Sequence, residues 1–134
     1  MNTYTLNDIL TSFRTIAVVG ISAKPERASH DIALYLIENG FEVIPVNPNY
    51  QSVLGLKCYH SLRDVPQNVD IVNIFLRPEL ITEVARQAVE KKCKVLWMQL
   101  GIINNEAAQI AEQAGIQVVM DQCIKIIHRR MKIH

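Results

Sequence analysis

The fold is decided by the stretch Ile16-Ala17-Val18-Val19-Gly20-Ile21-Ser22-Ala23-Lys24-Pro25-Glu26-Arg27-Ala28-Ser29. Its apolar start has the character of a buried strand, and this strand ends on Gly20. A loop with two hydroxyls and two cations follows, and an amphipathic helix begins behind the loop. A strand that feeds a helix N-terminus in this way is typical of phosphate sites, because the N–H groups of the first helical turn attract anions.

Five short apolar runs recur along the chain, separated by segments of helical character. They are Thr15–Val19, Phe41–Val46, Asp70–Phe75, Lys94–Met98 and Gln117–Met120. Their β-branched, nearly non-alternating composition is typical of parallel strands covered on both faces. Apolar periodicity predicts helices over Leu6–Phe13, Asp31–Asn39, Pro78–Lys92, Asn105–Ala114 and Gln122–Met131. Residues 47–66 show little regular pattern and are predicted as a long connection with at most one short helix.

This order of elements predicts an α/β fold. We expect one Rossmann-like domain over residues 1–134, with a doubly wound, mainly parallel five-stranded sheet flanked by helices. The length of 134 residues and the hydrophobic fraction of 49% suit a single domain with its own core.

Composition argues against several classes of protein. The formal net charge of +1 disfavours a sequence-independent nucleic-acid binder. No apolar run approaches the ~20 residues of a membrane span, and Met1–Leu6 lacks the basic start of a signal peptide. Three cysteines and four histidines have no metal-ligand spacing, which predicts no metal site and a reducing, cytoplasmic location. These residues are Cys58, Cys93, Cys123, His30, His60, His128 and His134.

The candidate site follows the first strand, since ligands of doubly wound sheets bind beyond the carboxyl ends of the strands. Gly20 permits close approach of a ligand to the backbone. The hydroxyls of Ser22 and Ser29 and the cations of Lys24 and Arg27 suit phosphate. The alternative is a solvated surface loop in which Ser29 is only the helix N-cap. Asp31 favours the helix dipole, but it would repel an anion placed close to it.

The second strand is followed by Asn47-Pro48-Asn49. A sheet that binds NAD has an acid here to hold the ribose hydroxyls, about 20 residues beyond a glycine-rich loop. No acid is present, and Gly20 is the only glycine among the first 39 residues. NAD is therefore disfavoured on two counts, although Asn47 does not exclude NADP.

The third and fourth strands lead into less specific sequences. Phe75 and Arg77 suit contact with a base and a phosphate, or else a core aromatic and a helix-entry arginine. Gln99, Gly101 and the apolar positions Leu100, Ile102 and Ile103 suit a narrow apolar tunnel, unless Gly101 only permits a turn.

No set of catalytic residues is evident in the sequence. There is no G-x-S-x-G elbow, and no histidine has an evident nucleophile partner. We expect Asp121, which follows the last strand, to cap the last helix, and a position facing the site is the alternative. Cys123 is expected to be inert, although reaction with a thiol ligand is an alternative.

Taken together, five segments resemble the small stand-alone CoA-binding proteins, which are related to the N-terminal domain of the succinyl-CoA synthetase alpha subunit. The segments are Ala17–Ser22 with Pro25–Ser29, Val43–Pro48, Val69–Phe75, Leu96–Gly101 and Met120–Ile126. The resemblance implies that coenzyme A is the ligand. It further implies that Gly20, Ser22, Lys24, Arg27 and Ser29 contact its phosphates, that Asn47 and Pro48 border the nucleoside, and that Phe75, Arg77, Gln99 and Gly101 line the path of the pantetheine arm.

The prediction for function is non-catalytic binding of coenzyme A, or of an acyl-CoA, through the first β–α loop, to which Ile21 also belongs. Ligase activity is not expected, because the synthetase domain with the phosphorylated histidine has no counterpart in this sequence. The alternatives are an NAD(P)-dependent or acyl-CoA-processing enzyme, and a regulatory domain without a nucleotide. No nucleic-acid or membrane partner is expected.

Overall fold

Helices and strands alternate through residues 4–133, which the computed structural model describes, with side chains described to residue 131. The helices are α1 (Leu6–Ser12), α2 (Ala28–Glu38), α3 (Pro78–Lys91), α4 (Asn105–Gln113) and α5 (Ile124–Ile133). The strands are β1 (Thr15–Val19), β2 (Glu42–Val46), β3 (Ser52–Val53), β4 (Leu56–Lys57), β5 (Ile71–Ile74), β6 (Val95–Met98) and β7 (Gln117–Val119). Residues 1–3 and His134 lie outside the described residues. Residues 1–3 belong to the N-terminal segment that is predicted to lack the features of a signal peptide.

Five strands form one parallel sheet in the order β2-β1-β5-β6-β7. The predicted fold class is therefore confirmed. The chain builds outward from β1 to β2 on one side and from β5 to β7 on the other. Pro45 lies inside β2, where its missing N–H is tolerated because β2 is an edge strand of this sheet.

Both faces of the sheet are covered, as the apolar strands predict. One face packs against α3 and α4, through side chains such as Ile81 and Ala107. The opposite face packs against α1, α2 and α5, and its core includes Leu36, Trp97 and Ile124. The chain thus enters α2 on one face after β1, but enters α3 on the other face after β5. The loops that follow these two adjacent strands separate, and a cleft forms between them.

The connection after β2 contains more structure than the sequence predicts. The expected short helix is a 3₁₀ helix at Leu62–Asp64, but the hairpin of β3 and β4 was not predicted. Its turn places both Leu54 (φ 56°) and Gly55 (φ 74°) in the left-handed region. Leucine is uncommon in that conformation, so this turn lacks the usual Asn-Gly or Asp-Gly signal.

Candidate functional site

The cleft between the β1–α2 and β5–α3 loops has a volume of about 290 Å³. It is lined by Gly20, Arg27, Ala28, Ser29, Phe75, Leu76, Arg77 and Ile102. Five of the predicted site residues therefore come together here: Gly20, Arg27, Ser29, Phe75 and Arg77. Ala28 and Leu76 were missed, and their only sequence signal is that each lies beside a predicted residue.

Gly20 forms the floor of the cleft, where two backbones approach each other closely. Its φ is +90°, and a Cβ at this position would lie 2.4 Å from the carbonyl oxygen of Phe75 and 2.8 Å from Cδ2 of Leu76. Its N–H donates to the carbonyl of Val46 at 2.9 Å. Only glycine satisfies both the backbone conformation and the contact with β5.

The hydroxyls of Ser22 and Ser29 accept hydrogen bonds from backbone N–H groups of the β1–α2 loop. The Ser22 N–H donates to Ser29 Oγ at 2.9 Å, and the Lys24 N–H donates to Ser22 Oγ at 3.0 Å. The carbonyl of Ser22 is also 3.0 Å from Nδ1 of His30. The prediction that Ser29 is the N-cap is wrong, because the helix begins at Ala28 with Arg27 as its N-cap. Ser29 instead holds the loop in a fixed shape beside the cleft.

The N-terminus of α2 retains unused hydrogen-bond donors and cations. Arg27 makes no side-chain capping bond, and the N–H groups of Ala28 and Ser29 donate to no group among the described residues. Lys24 and Arg27 are exposed and form no ion pair with any side chain that the structure describes. These donors and charges suit an anion at this helix end.

Asp31 does not leave its negative charge unbalanced near this helix end. Its Oδ2 is 2.8 Å from Nζ of Lys125, which belongs to α5. The sequence predicts that Asp31 would repel an anion, and Lys125 offsets that repulsion by placing a positive charge beside the carboxylate.

Asn47 joins the end of β2 to the β1–α2 loop. Its Nδ2 donates to the carbonyl of Ile21 at 2.8 Å, and its Oδ1 accepts the N–H of Asn49 at 2.8 Å. The side chain of Ile21 is fully buried in the core, and Pro48 is exposed. Asn47 therefore positions the loop, and neither it nor Pro48 lines the cleft.

The β5–α3 loop contributes an aromatic ring and a cation to the cleft. Phe75 is half-buried, and its N–H donates to the carbonyl of Val19 at 2.8 Å. The side chain of Arg77 is 79% exposed, and its Nε is 3.4 Å from a carboxylate oxygen of Glu79. An exposed ion pair of this kind is weak, so Arg77 is available to a ligand with more charge.

Gln99 and Gly101 lie outside the lining of the cleft. Gln99 is buried, and its Oε1 accepts from Nδ2 of Asn73 at 3.2 Å and from the N–H of Ile124 at 3.3 Å. Gly101 donates its N–H to Oδ1 of Asp121 at 2.7 Å. Asp121 thus fixes the β6–α4 loop, and the expectation that it caps α5 is not met, since α5 begins only at Ile124.

The thiols are poorly placed for chemistry at the cleft. Burial raises the pKa of the Cys93 thiol to about 11 and also raises the pKa of Cys58. Cys123 is half-buried and does not line the cleft. Among the described residues, no three histidine, cysteine or acidic side chains are grouped to hold a metal ion. No helix within residues 4–133 is both long and apolar enough to cross a membrane.

A larger cavity, of about 560 Å³, lies at the opposite end of the sheet, where the strands begin. Its lining includes Tyr4, which precedes α1. It also includes Lys92, Cys93 and Lys94, which precede β6 at the amino ends of the strands. This cavity lies away from the loops that separate after β1 and β5, and the helix that begins beside Tyr4 is capped by Thr5. We therefore take the smaller cleft as the candidate site, because its position and its donors agree.

The sequence profile of the family described as CoA binding domain matches residues 14–129 of this chain. The uncharacterized protein YneT of Bacillus subtilis is 41% identical over 123 residues, which are 92% of this chain and 91% of that protein. The ADP-forming acetate–CoA ligase II of Archaeoglobus fulgidus is 35% identical over 95 residues. That match includes 68% of this chain but only 14% of the ligase.

Solved structures agree with these sequence matches. A hypothetical protein from Pyrococcus horikoshii OT3 superposes with a TM-score of 0.93 and 38% identity, over 98% of this chain and 99% of that one. The dinucleotide-forming acetyl-coenzyme A synthetase 1 of Candidatus Korarchaeum cryptofilum gives a TM-score of 0.74 and 26% identity. There the match covers 85% of this chain and 28% of the synthetase.

Proposed function

Because the chain belongs to the family of CoA binding domains, we propose that it binds coenzyme A, or an acyl-CoA, in the cleft and catalyses no reaction. Family membership supports the ligand. The place of binding and the absence of catalysis are inferred from the residues at the cleft.

The observation that carries the proposal is the group of unused donors and cations at the start of α2. Coenzyme A has a diphosphate and a 3′-phosphate, so its complement is a site with backbone N–H groups and several cations. The free N–H groups of Ala28 and Ser29 and the cation of Arg27 provide such a site in the cleft lining, and Lys24 lies outside the lining, three residues before Arg27 in the same loop. Gly20 adds to the fit, because a Cβ at this position would clash with Phe75 and Leu76, two residues that line the cleft.

The remaining lining supports binding without catalysis. Within the described residues, no histidine, carboxylate or cysteine lines the cleft. General acid–base catalysis needs such a group within hydrogen-bond reach of the reacting atoms, and the Ser29 hydroxyl in the lining would need one as a base to act as a nucleophile. The relatives named as ligases are several times longer than this chain, and the ligase activity in their names is said of those proteins and is not carried over to this chain.

Isothermal titration with CoA, NAD and NADP tests the proposal. We expect CoA to bind most tightly, and we expect Arg27→Ala to weaken CoA binding by about 1.5–3 kcal/mol, the usual value of a hydrogen bond to a charged group. Arg86→Ala is the matched control, since this exposed arginine of α3 pairs with Glu83 and lies outside the cleft. An unchanged dissociation constant in Arg27→Ala would refute the assignment of the site. Tighter binding of NAD or NADP than of CoA would refute the ligand.

A further inference from the structure

Exposed apolar side chains are concentrated beside the cleft. Among the described residues, the large hydrophobic side chains that are exposed are Leu34, Leu80, Leu100, Ile103 and Ile126. Three of them lie in the two segments that border the cleft, and we call Leu80, Leu100 and Ile103 the apolar rim. They are 46%, 61% and 51% exposed, respectively.

The apolar rim lies in the same two segments of the chain as the lining residues Arg77 and Ile102. Leu80 lies in the first turn of α3, three residues after Arg77, and Leu100 and Ile103 lie two residues before and one residue after Ile102 in the β6–α4 loop. A hydrogen bond of 2.7 Å from Nδ2 of Asn104 to the carbonyl of Pro78 joins the two segments. The two segments therefore meet beside the cleft, and the three exposed side chains lie next to its lining in the sequence without being part of it.

The cleft and the apolar rim together have two chemically different ends. The start of α2 offers N–H groups and Arg27, and Arg77 adds a second cation to the lining, whereas the side chains of Leu76, Ile102 and the apolar rim offer hydrocarbon. A complementary ligand has phosphates at one end and an apolar chain at the other. An acyl-CoA thioester has this arrangement, because its acyl chain is at the opposite end of the molecule from its phosphates.

We propose that the apolar rim binds the acyl chain, so that this protein prefers acyl-CoA thioesters of medium chain length to free CoA. This inference rests on the proposed function. A protein partner is disfavoured as the occupant, because three side chains are far fewer than the roughly 20–30 residues that each side of a stable protein interface contributes.

The expected gain follows from the transfer of methylene groups out of water. A fully buried methylene is worth about 0.8 kcal/mol, which is about fourfold in affinity. On an open surface about half of that is realised, so each methylene should tighten binding about twofold. The six methylenes that separate octanoyl-CoA from acetyl-CoA should then tighten binding by roughly 60-fold.

The test is calorimetric titration with CoA and with acetyl-, butyryl-, hexanoyl- and octanoyl-CoA. The variants are Leu100→Ser and Ile103→Ser, and the control is Leu34→Ser, an exposed leucine of α2. We expect affinity to rise with chain length in the wild type and in Leu34→Ser. In the two rim variants, the rise should flatten while the affinity for free CoA stays the same, which also shows that these variants fold.

The outcomes separate this inference from the proposed function. If free CoA binds and chain length has no effect, or if the rim variants keep the full rise, the acyl-chain site is refuted and the CoA site stands. If no CoA species binds, the proposed function itself fails. If light scattering shows a dimer that Leu100→Ser dissociates, a second copy covers the apolar rim and the inference is overturned.

Discussion

Replacing Gly20 by alanine tests whether the close approach of β1 and β5 shapes the cleft. The new Cβ would lie 2.4 Å from the carbonyl oxygen of Phe75 and 2.9 Å from its carbonyl carbon. Both atoms are backbone, so no rotamer change relieves the clash. The end of β1 must move away from β5, where the Phe75 N–H now donates to the carbonyl of Val19 at 2.8 Å.

The expected loss in the free energy of unfolding has two parts, and a variant at a second glycine separates them. A left-handed φ costs an alanine about 1–2 kcal/mol, and forced displacement in a packed core costs about 1–3 kcal/mol. Gly20→Ala should therefore lower the free energy of unfolding by about 2–5 kcal/mol. Gly55 has a similar φ of +74°, but no atom lies within 4 Å of its Cβ position. Gly55→Ala should cost only the first part.

Urea unfolding followed by tryptophan fluorescence measures the difference. Trp97 is the single tryptophan of the sequence, and it is fully buried, so its emission reports the core directly. We expect Gly20→Ala to unfold at clearly lower urea than Gly55→Ala, and to bind CoA more weakly because the cleft floor has moved. Equal destabilisation of the two variants would show that the contact between Gly20 and Phe75 carries no cost, and the reasoning would fail.

Two further predictions concern the loop and the core. Asn47→Ala removes hydrogen bonds to Ile21 and Asn49, so the free energy of unfolding measured in urea should fall by about 1–2 kcal/mol. Asn68 is exposed, and Asn68→Ala, the control, should change this free energy very little. Burial raises the pKa of Cys93 from 9.0 to about 11, so the folded state favours the thiol. This stabilisation is complete below pH 9 and is lost as the pH rises toward 11. Between pH 8 and pH 10, the free energy of unfolding of the wild type, measured by urea unfolding, should therefore fall by about 1 kcal/mol more than that of Cys93→Ala. Equal decreases in the two proteins would contradict this prediction.

The sheet could be predicted because its strands carry a strong local signal. Runs such as Thr15–Val19 are apolar without alternation, and this pattern has few solutions other than a parallel strand covered on both faces. The helices were predicted to within about three residues, because their apolar periodicity is also a local signal. The β3–β4 hairpin could not be predicted, since its strands are two residues long and Leu54 occupies a left-handed turn position.

The site was predicted less completely, because a polar side chain has several possible partners. Gly20 and Arg27 line the cleft, since their place after the first strand leaves few alternatives, and their contact with a ligand stays a prediction. Ser29 Oγ instead accepts the N–H of Ser22, and Asn47 Nδ2 donates to the carbonyl of Ile21. A hydroxyl or an amide serves a ligand and a loop equally well, so residue type alone does not separate these roles. Tertiary geometry decides between them.

The loops around the cleft are held by the fold, which determines how binding should depend on charge. The Gly20 N–H bonds to Val46, Asn47 bonds to Ile21, and the Gly101 N–H bonds to Asp121. A loop that is already ordered loses little conformational entropy when a ligand arrives. The affinity for an anionic ligand should then follow the charges at the start of α2 more than any folding of the loop. Substitutions of Arg27 should accordingly change the dissociation constant and its dependence on salt together, while the stability of the free protein stays nearly constant.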